Sequence, residues 1–211
     1  MRTWLKFIFW AGAVSGAMGF ALHLFFFEVW RVPTDDPLLA ASIEPTLSAG
    51  DLVVVTRQGS IARGNLVRCA DPEAAGRFVV ARAIGRSGDR VELEREVVSL
   101  DGKRVPSPRA CDPPVIAVHD PRTDEDVTLD CSQEEFGDVA FSAARAGDRP
   151  ELPTKVTVAP GGWFLVSDDR HVHLDSRDYG EVDPSSCQHV IFRIVGAAGF
   201  GDSGRRLSIV W

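Results

Sequence analysis

The apolar positions fall into two regimes. From Phe7 to Phe27 the chain runs 21 residues without a formally charged side chain. At ~1.5 Å per residue a helix of that length matches the roughly 30 Å hydrocarbon core of a bilayer. Arg2 and Lys6 precede the run, and Glu28, Asp35 and Asp36 follow it, so the charge bias predicts an N-terminus in the cytoplasm and the rest outside. The run is longer than the ~7–15 apolar residues of a cleaved signal peptide, and small residues come only at Ala40-Ala41, which favours an uncleaved anchor. Beyond it the pattern shortens to β-branched runs of four to nine residues between turn residues. Leu52–Val55, Asn65–Cys69, Phe78–Ile84, Arg90–Leu93, Trp163–Val166 and Val190–Gly196 read as strands, with shorter ones at 156–158 and 206–210. Val97–Leu100 and Arg104–Val105 flank Asp101-Gly102 and read as a hairpin. Residues 31–41 read as a connector, with Pro33 and Pro37 opposing helix, so the anchor is the one helix expected. Residues 107–152 have little periodicity and read as an insertion or small second β lobe with mobile loops.

These elements predict a mainly β protein with an N-terminal transmembrane helix and an inserted small lobe. The expected division is an anchor at 1–30, a β core at 31–106 and 153–211, and the insertion at 107–152. Net charge is -7 with no basic cluster, which argues against nucleic acid as a partner. Cys69, Cys111, Cys131 and Cys187 lack the spacing of a zinc site, and no metal or cofactor is expected. An even number outside the cytoplasm allows disulfides. Of the three possible pairings, Cys111 with Cys131 is favoured because both flank one irregular loop; free buried thiols are the alternative.

The candidate chemistry starts at Ser42. It stands before a Pro-containing turn, Ser42-Ile43-Glu44-Pro45-Thr46-Leu47, and the Gly50-Asp51 turn then opens a strand. A hydroxyl held at a sheet edge by a stiff turn suits an acyl-transfer nucleophile. Taken alone, it also suits an ordinary loop serine. Three further blocks follow in order: RGNLVRC at 63–69, FVVARAIGRSGDRVE at 78–92 and WFLVSDDRHVHLDSRD at 163–178. Together the four blocks resemble bacterial signal peptidase I, the membrane-anchored serine endopeptidase that removes signal peptides from exported proteins. The resemblance implies an antiparallel β fold with its groove near the membrane surface. It also implies Ser42 as nucleophile, exported preproteins as substrates, and a place in the bacterial inner membrane with the main domain periplasmic or extracellular. It further implies that Asp168, Arg170, Asp175, Ser176 and Arg177 form a polar loop network. Peptide would add as a strand against walls from Ala40, Ala41, Phe78, Val79 and Val80, with core packing the competing role for Phe78.

Three departures matter. Family members cleave with a Ser–Lys dyad, and the lysine position here is Ala81. Lys6, Lys103 and Lys155 are the only lysines, and none is well placed to substitute. His173 stands where the family has a serine that contacts the lysine amine, and Ala40 occupies the position of an oxyanion-supporting serine. One reading makes His173 a replacement base oriented by Asp175, since imidazole titrates near ~6.5. In the other, His173 merely fills the space left by the lysine, and the chain is a catalytically inactive homologue that binds signal peptides or a membrane partner.

Overall fold

The computed structural model describes residues 2–57, 59–147 and 153–210, without the side chains of 2, 3, 5 and 21–24. Helix α1 (Arg2–Phe26) opens the chain, and strand β1 (Phe27–Arg31) follows it directly. The expected membrane span is not found. Among the described residues no helix is long and apolar enough to cross a membrane. Residues 21–24 of the expected span lie outside those whose side chains are described, and Phe27, its last residue, belongs to β1.

The connector is also corrected. Helix α2 (Pro37–Ser42) occupies its second half, with Pro37 in the first turn and Asp36 as N-cap, accepting the Leu39 amide at 3.1 Å. Proline is well suited to that turn, because its missing N–H would have no intrahelical partner and its φ is already helical. A third helix, α3 (Ser176–Tyr179), opens on a capping box between Asp175 and Asp178.

The strands then come in chain order: β2 (Leu52–Thr56), β3 (Leu66–Ala70), β4 (Phe78–Arg86), β5 (Arg90–Glu94), β6 (Val97–Leu100) and β7 (Lys103–Arg104). β8 (Arg109–Asp120), β9 (Glu125–Phe136) and β10 (Val139–Arg145) fill the stretch expected to be irregular. β11 (Thr154–Thr157), β12 (Trp163–Val166), β13 (Cys187–Val195) and β14 (Ser208–Ile209) complete the set. Every ladder between these strands is antiparallel. The largest sheet runs β1-β2-β13-β3-β4-β12, with β14 beside β13; β10-β9-β8 and β11-β5-β6-β7 form two smaller sheets.

Alternation explains the layering. On β2, Val53 and Val55 turn inward and join Leu39, Ile43, Leu47, Leu66 and Val80 in one core cluster. On β4 successive residues face opposite ways, so Val79, Ala81 and Ala83 enter a second cluster with Val67 and Leu165. The penultimate residue of β4 is Gly85, where a Cβ would lie 2.3 Å from Val91 Cγ2. Only glycine lets the backbone pass so close to the next sheet.

Two disulfides tie the β structure. Cys111–Cys131 joins β8 to β9, the pairing expected from sequence, and Cys69–Cys187 joins β3 to β13. The latter closes a separation of 118 residues and the former one of 20. In the chain-entropy account, loops of those lengths correspond to roughly 5 and about 3 kcal/mol. Replacing Cys69 and Cys187 together by Ala should therefore lower the urea midpoint more than replacing Cys111 and Cys131. Equal losses would refute that ranking.

Candidate active site

Ser42 is the last residue of α2 and is fully buried. Its hydroxyl donates to the Leu39 carbonyl at 2.9 Å, and its own carbonyl accepts the Asp169 amide at 3.0 Å. The end of α2 is thereby held against the loop that leads from β12 to α3. Residues 167–175 make up that loop, and several buried charges define its shape.

Asp168 takes a bidentate pair from Arg82 on β4, at 2.8 Å to Nε and 3.0 Å to Nη2, with both side chains fully buried. The same guanidinium donates to the Gly64 carbonyl and to Thr46 Oγ1 in the turn after Ser42, and lies 4.4 Å over the Phe141 ring. Asp175 accepts the Ser167 amide and the amide and guanidinium of Arg177. Burial opposes its charge, but Arg177 outweighs burial and holds the carboxyl at about 2. Ser176 Oγ accepts the Leu165 amide, and Arg170 pairs with Glu134 on β9.

Asp169 is less well satisfied, as is Arg170, whose Nε and Nη1 are buried without a partner. Oδ1 of Asp169 accepts the amides of His171 and Val172, whereas its buried Oδ2 has no partner. Burial, which those amides only partly offset, pushes its carboxyl up to about 7. His171 beside it meets Glu96, a buried residue of the β5–β6 turn, at 3.1 Å.

Ala81 is fully buried among Val67, Val79, Ala83 and Leu165, whereas its neighbour Val80 packs with Leu39, Ile43 and Leu47, so position 81 offers no amine. Lys6 lies on α1 and Lys103 on β7, and Lys155 on β11 faces Glu92 at 3.4 Å. His173 Nδ1 meets Asp178 Oδ2 at 2.9 Å, and the ligand atoms of His173, Asp175 and Asp178 all lie within 4.8 Å of one another. These three could offer donors to a metal, but both Asp175 oxygens are already engaged by Arg177. Sequence reasoning missed Asp178. Its signal was present: Asp175-Ser176-Arg177-Asp178 is the spacing of a reciprocal helix cap. Glu134 gave no such signal, because it lies in the stretch without periodicity.

The expected substrate walls separate. Ala40 and Ala41 line a cavity of about 360 Å³ between α2 and β8, whereas Phe78 lines another of about 420 Å³ with Leu39, Asp36 and Arg77. Val79 and Val80 are fully buried in different core clusters. Phe78 also packs edge-on to Trp30 and under the Arg68 guanidinium.

The family model described as signal peptidase, peptidase S26, matches residues 1–195. The chain belongs to the signal peptidase family. Signal peptidase IB of Staphylococcus aureus is 28% identical over 164 residues, covering 75% of this chain and 72% of its own. Signal peptidase I of Bacillus caldolyticus is 27% identical over 195 residues, covering 90% and 87%. A crystal structure of a signal peptidase I from Enterococcus faecalis V583 aligns with a TM-score of 0.39 and 20% identity, over 63% of this chain and 97% of that one. In this member of the family the loop around residues 167–177 has its ion pairs made, and position 81 is alanine.

Two measurements probe this frame. Asp168→Ala should leave Arg82 charged and unpaired in the core and cost on the order of 3–5 kcal/mol, read from denaturant unfolding. A loss below 1 kcal/mol would remove the pair from its central place. For Asp169 the folded carboxyl titrates near 7, above its unfolded value. The folded state thus holds a proton that the unfolded state has released, so this group's stabilisation is present at low pH and is lost as pH rises towards 7. Between pH 5 and pH 8 the loss should be on the order of 3 kcal/mol. Asp169→Asn should abolish that fall, and an unchanged pH dependence would show that Asp169 ionises normally.

Proposed function

We propose that the chain is a membrane-associated serine endopeptidase that removes signal peptides from exported preproteins, with Ser42 as nucleophile. The observation that carries this reading is the buried Ser42 at the end of α2, its carbonyl tied to the polar loop. Family membership supports the substrate class. Helix α1 exposes Phe7, Ile8, Phe9, Trp10, Val14, Met18 and Phe20. An apolar surface of that extent suits lipid better than water, which supports association of α1 with the bacterial inner membrane.

For cleavage the Ser42 hydroxyl must leave the Leu39 carbonyl and pass its proton to a base. His173 is our candidate. With Nδ1 donating to Asp178, the other ring nitrogen, Nε2, is the basic one, and the carboxylate stabilises the imidazolium that forms. In this scheme Asp178 takes the orienting role first given to Asp175, which instead holds Arg177 and the loop.

A second reading has its own support. Alanine at position 81 and the bond from Ser42 Oγ to Leu39 describe a chain that holds signal peptides without cutting them.

A preprotein in detergent, incubated with the parent, Ser42→Ala and His173→Ala, separates the two. Under the first reading Ser42→Ala abolishes cleavage, His173→Ala slows it by roughly 10²–10⁴-fold, and the parental rate rises through pH ~6–7. An alkaline limb, or full activity without the imidazole, would eliminate His173 as base. No turnover by the parent, with preprotein still bound, would establish the second reading.

A further inference from the structure

We propose that the cavity between α2 and β8 is a subsite for a basic side chain of the bound peptide, with Glu44 as its acceptor. The proposal rests on the reading that this chain engages signal peptides, and adds a specificity element to it. The cavity, at about 360 Å³, falls within the range of small-ligand sites, about 300–1,000 Å³. Ala40 and Ala41 of α2, Ala49 of the following turn and Ala117 of β8 line it. Four methyl groups make a sleeve that accepts an aliphatic stem, and none of them offers a hydrogen bond. The polar groups are Glu44, Ser48 and Thr34, with His119 from β8.

Glu44 is the unsatisfied member. Its Oε1 accepts the Ser48 hydroxyl at 2.8 Å. Among the described residues no cation lies within ion-pairing distance of its carboxylate. The two nearby arginines are committed elsewhere: Arg193 and Arg205 each meet Asp51 at 3.1 Å. His119 adds no free positive charge, because it faces Asp126 at 3.1 Å and Asp124 at 3.4 Å. Burial raises the Glu44 pKa, and the Ser48 hydroxyl, which Arg205 also meets at 2.9 Å, and the two arginines only partly offset it. A partly desolvated carboxylate with spare acceptor capacity, at the end of an apolar sleeve, is complementary to an ammonium or guanidinium carried on a methylene stem. An acidic side chain would meet repulsion there, and a purely apolar one would leave the carboxylate without a partner.

The test uses the full chain carrying Ser42→Ala, so that bound peptide is not turned over. Fluorescent peptides spanning a cleavage site carry lysine at one position at a time, each with a norleucine counterpart, and affinity is read by anisotropy in detergent. At one position lysine should bind about tenfold or more tighter than norleucine. Glu44→Gln should erase that preference while norleucine affinity stays. Ala117→Arg, at an exposed position on β8, should erase it too by supplying an internal cation with Glu44 intact. Peptides that bind with no lysine preference anywhere would overturn the subsite and leave the proposed function standing. A preference that survives both variants would also overturn it. Failure of every peptide to bind would overturn the proposed function, and the subsite with it.

Discussion

The buried pair between Arg82 and Asp168 is the interaction on which the rest of the site depends. Desolvating two charges costs several kcal/mol per ion, and attraction offsets this only when geometry is good and the remaining donors are satisfied. Both conditions are met. The carboxylate is held bidentately, and Nε, Nη1 and Nη2 of Arg82 all have acceptors. Those acceptors lie on the β12–α3 loop, the β2–β3 connection and the turn after Ser42. One guanidinium therefore sets the distance between the nucleophile block and the loop block, which lie more than a hundred residues apart in sequence.

The inserted sheet belongs to the same frame. Ala144 on β10 donates its amide to Asp168 and accepts that of Arg170, while Glu134 on β9 meets both Arg145 and Arg170. Arg122, at the β8–β9 tip, donates to the His171 carbonyl. Val118, Val127 and Leu129 pack with Ala41 and Val172. Residues with no counterpart in the sequence blocks thus supply counter-charges and apolar contacts to the loop that carries His173. Beside them Oδ2 of Asp169, Nε and Nη1 of Arg170 and Nε of Arg145 are buried without a hydrogen-bond partner, so the polar layer is paired in charge but incompletely hydrogen-bonded.

The frame is a set of mutually dependent charges, and loss of one leaves its partner buried and unpaired, a cost large enough to threaten folding. Position 81 on β4 is different: its alanine packs against Val79, Ala83 and Leu165 with no polar atom left over. Such a position can change without harm to the fold. A fold with its ion pairs intact is therefore compatible either with a relocated base or with peptide binding alone.

Much of this was legible in sequence. Short β-branched runs bounded by turn residues marked the main strands to within a few residues, because buried strands must be apolar and their connections must turn. The four ordered blocks marked Ser42, Asp168, Arg170, Asp175, Ser176 and Arg177, because these residues stand in short contiguous stretches that leave a compact signature. Other features had no local signature. Pro37 opposes a helix interior but favours a helix start, and only the Asp36 cap decides between them. β8 contains Pro113 and Pro114 and lies at a sheet edge with most of its side chains exposed, so alternation is absent although the strand is present. The partners Arg82–Asp168, Arg170–Glu134 and His173–Asp178, like the division of the expected substrate walls between two cavities, were decided by tertiary structure. Sequence records which charges exist, but which of them must neutralise one another depends on which are brought together out of water.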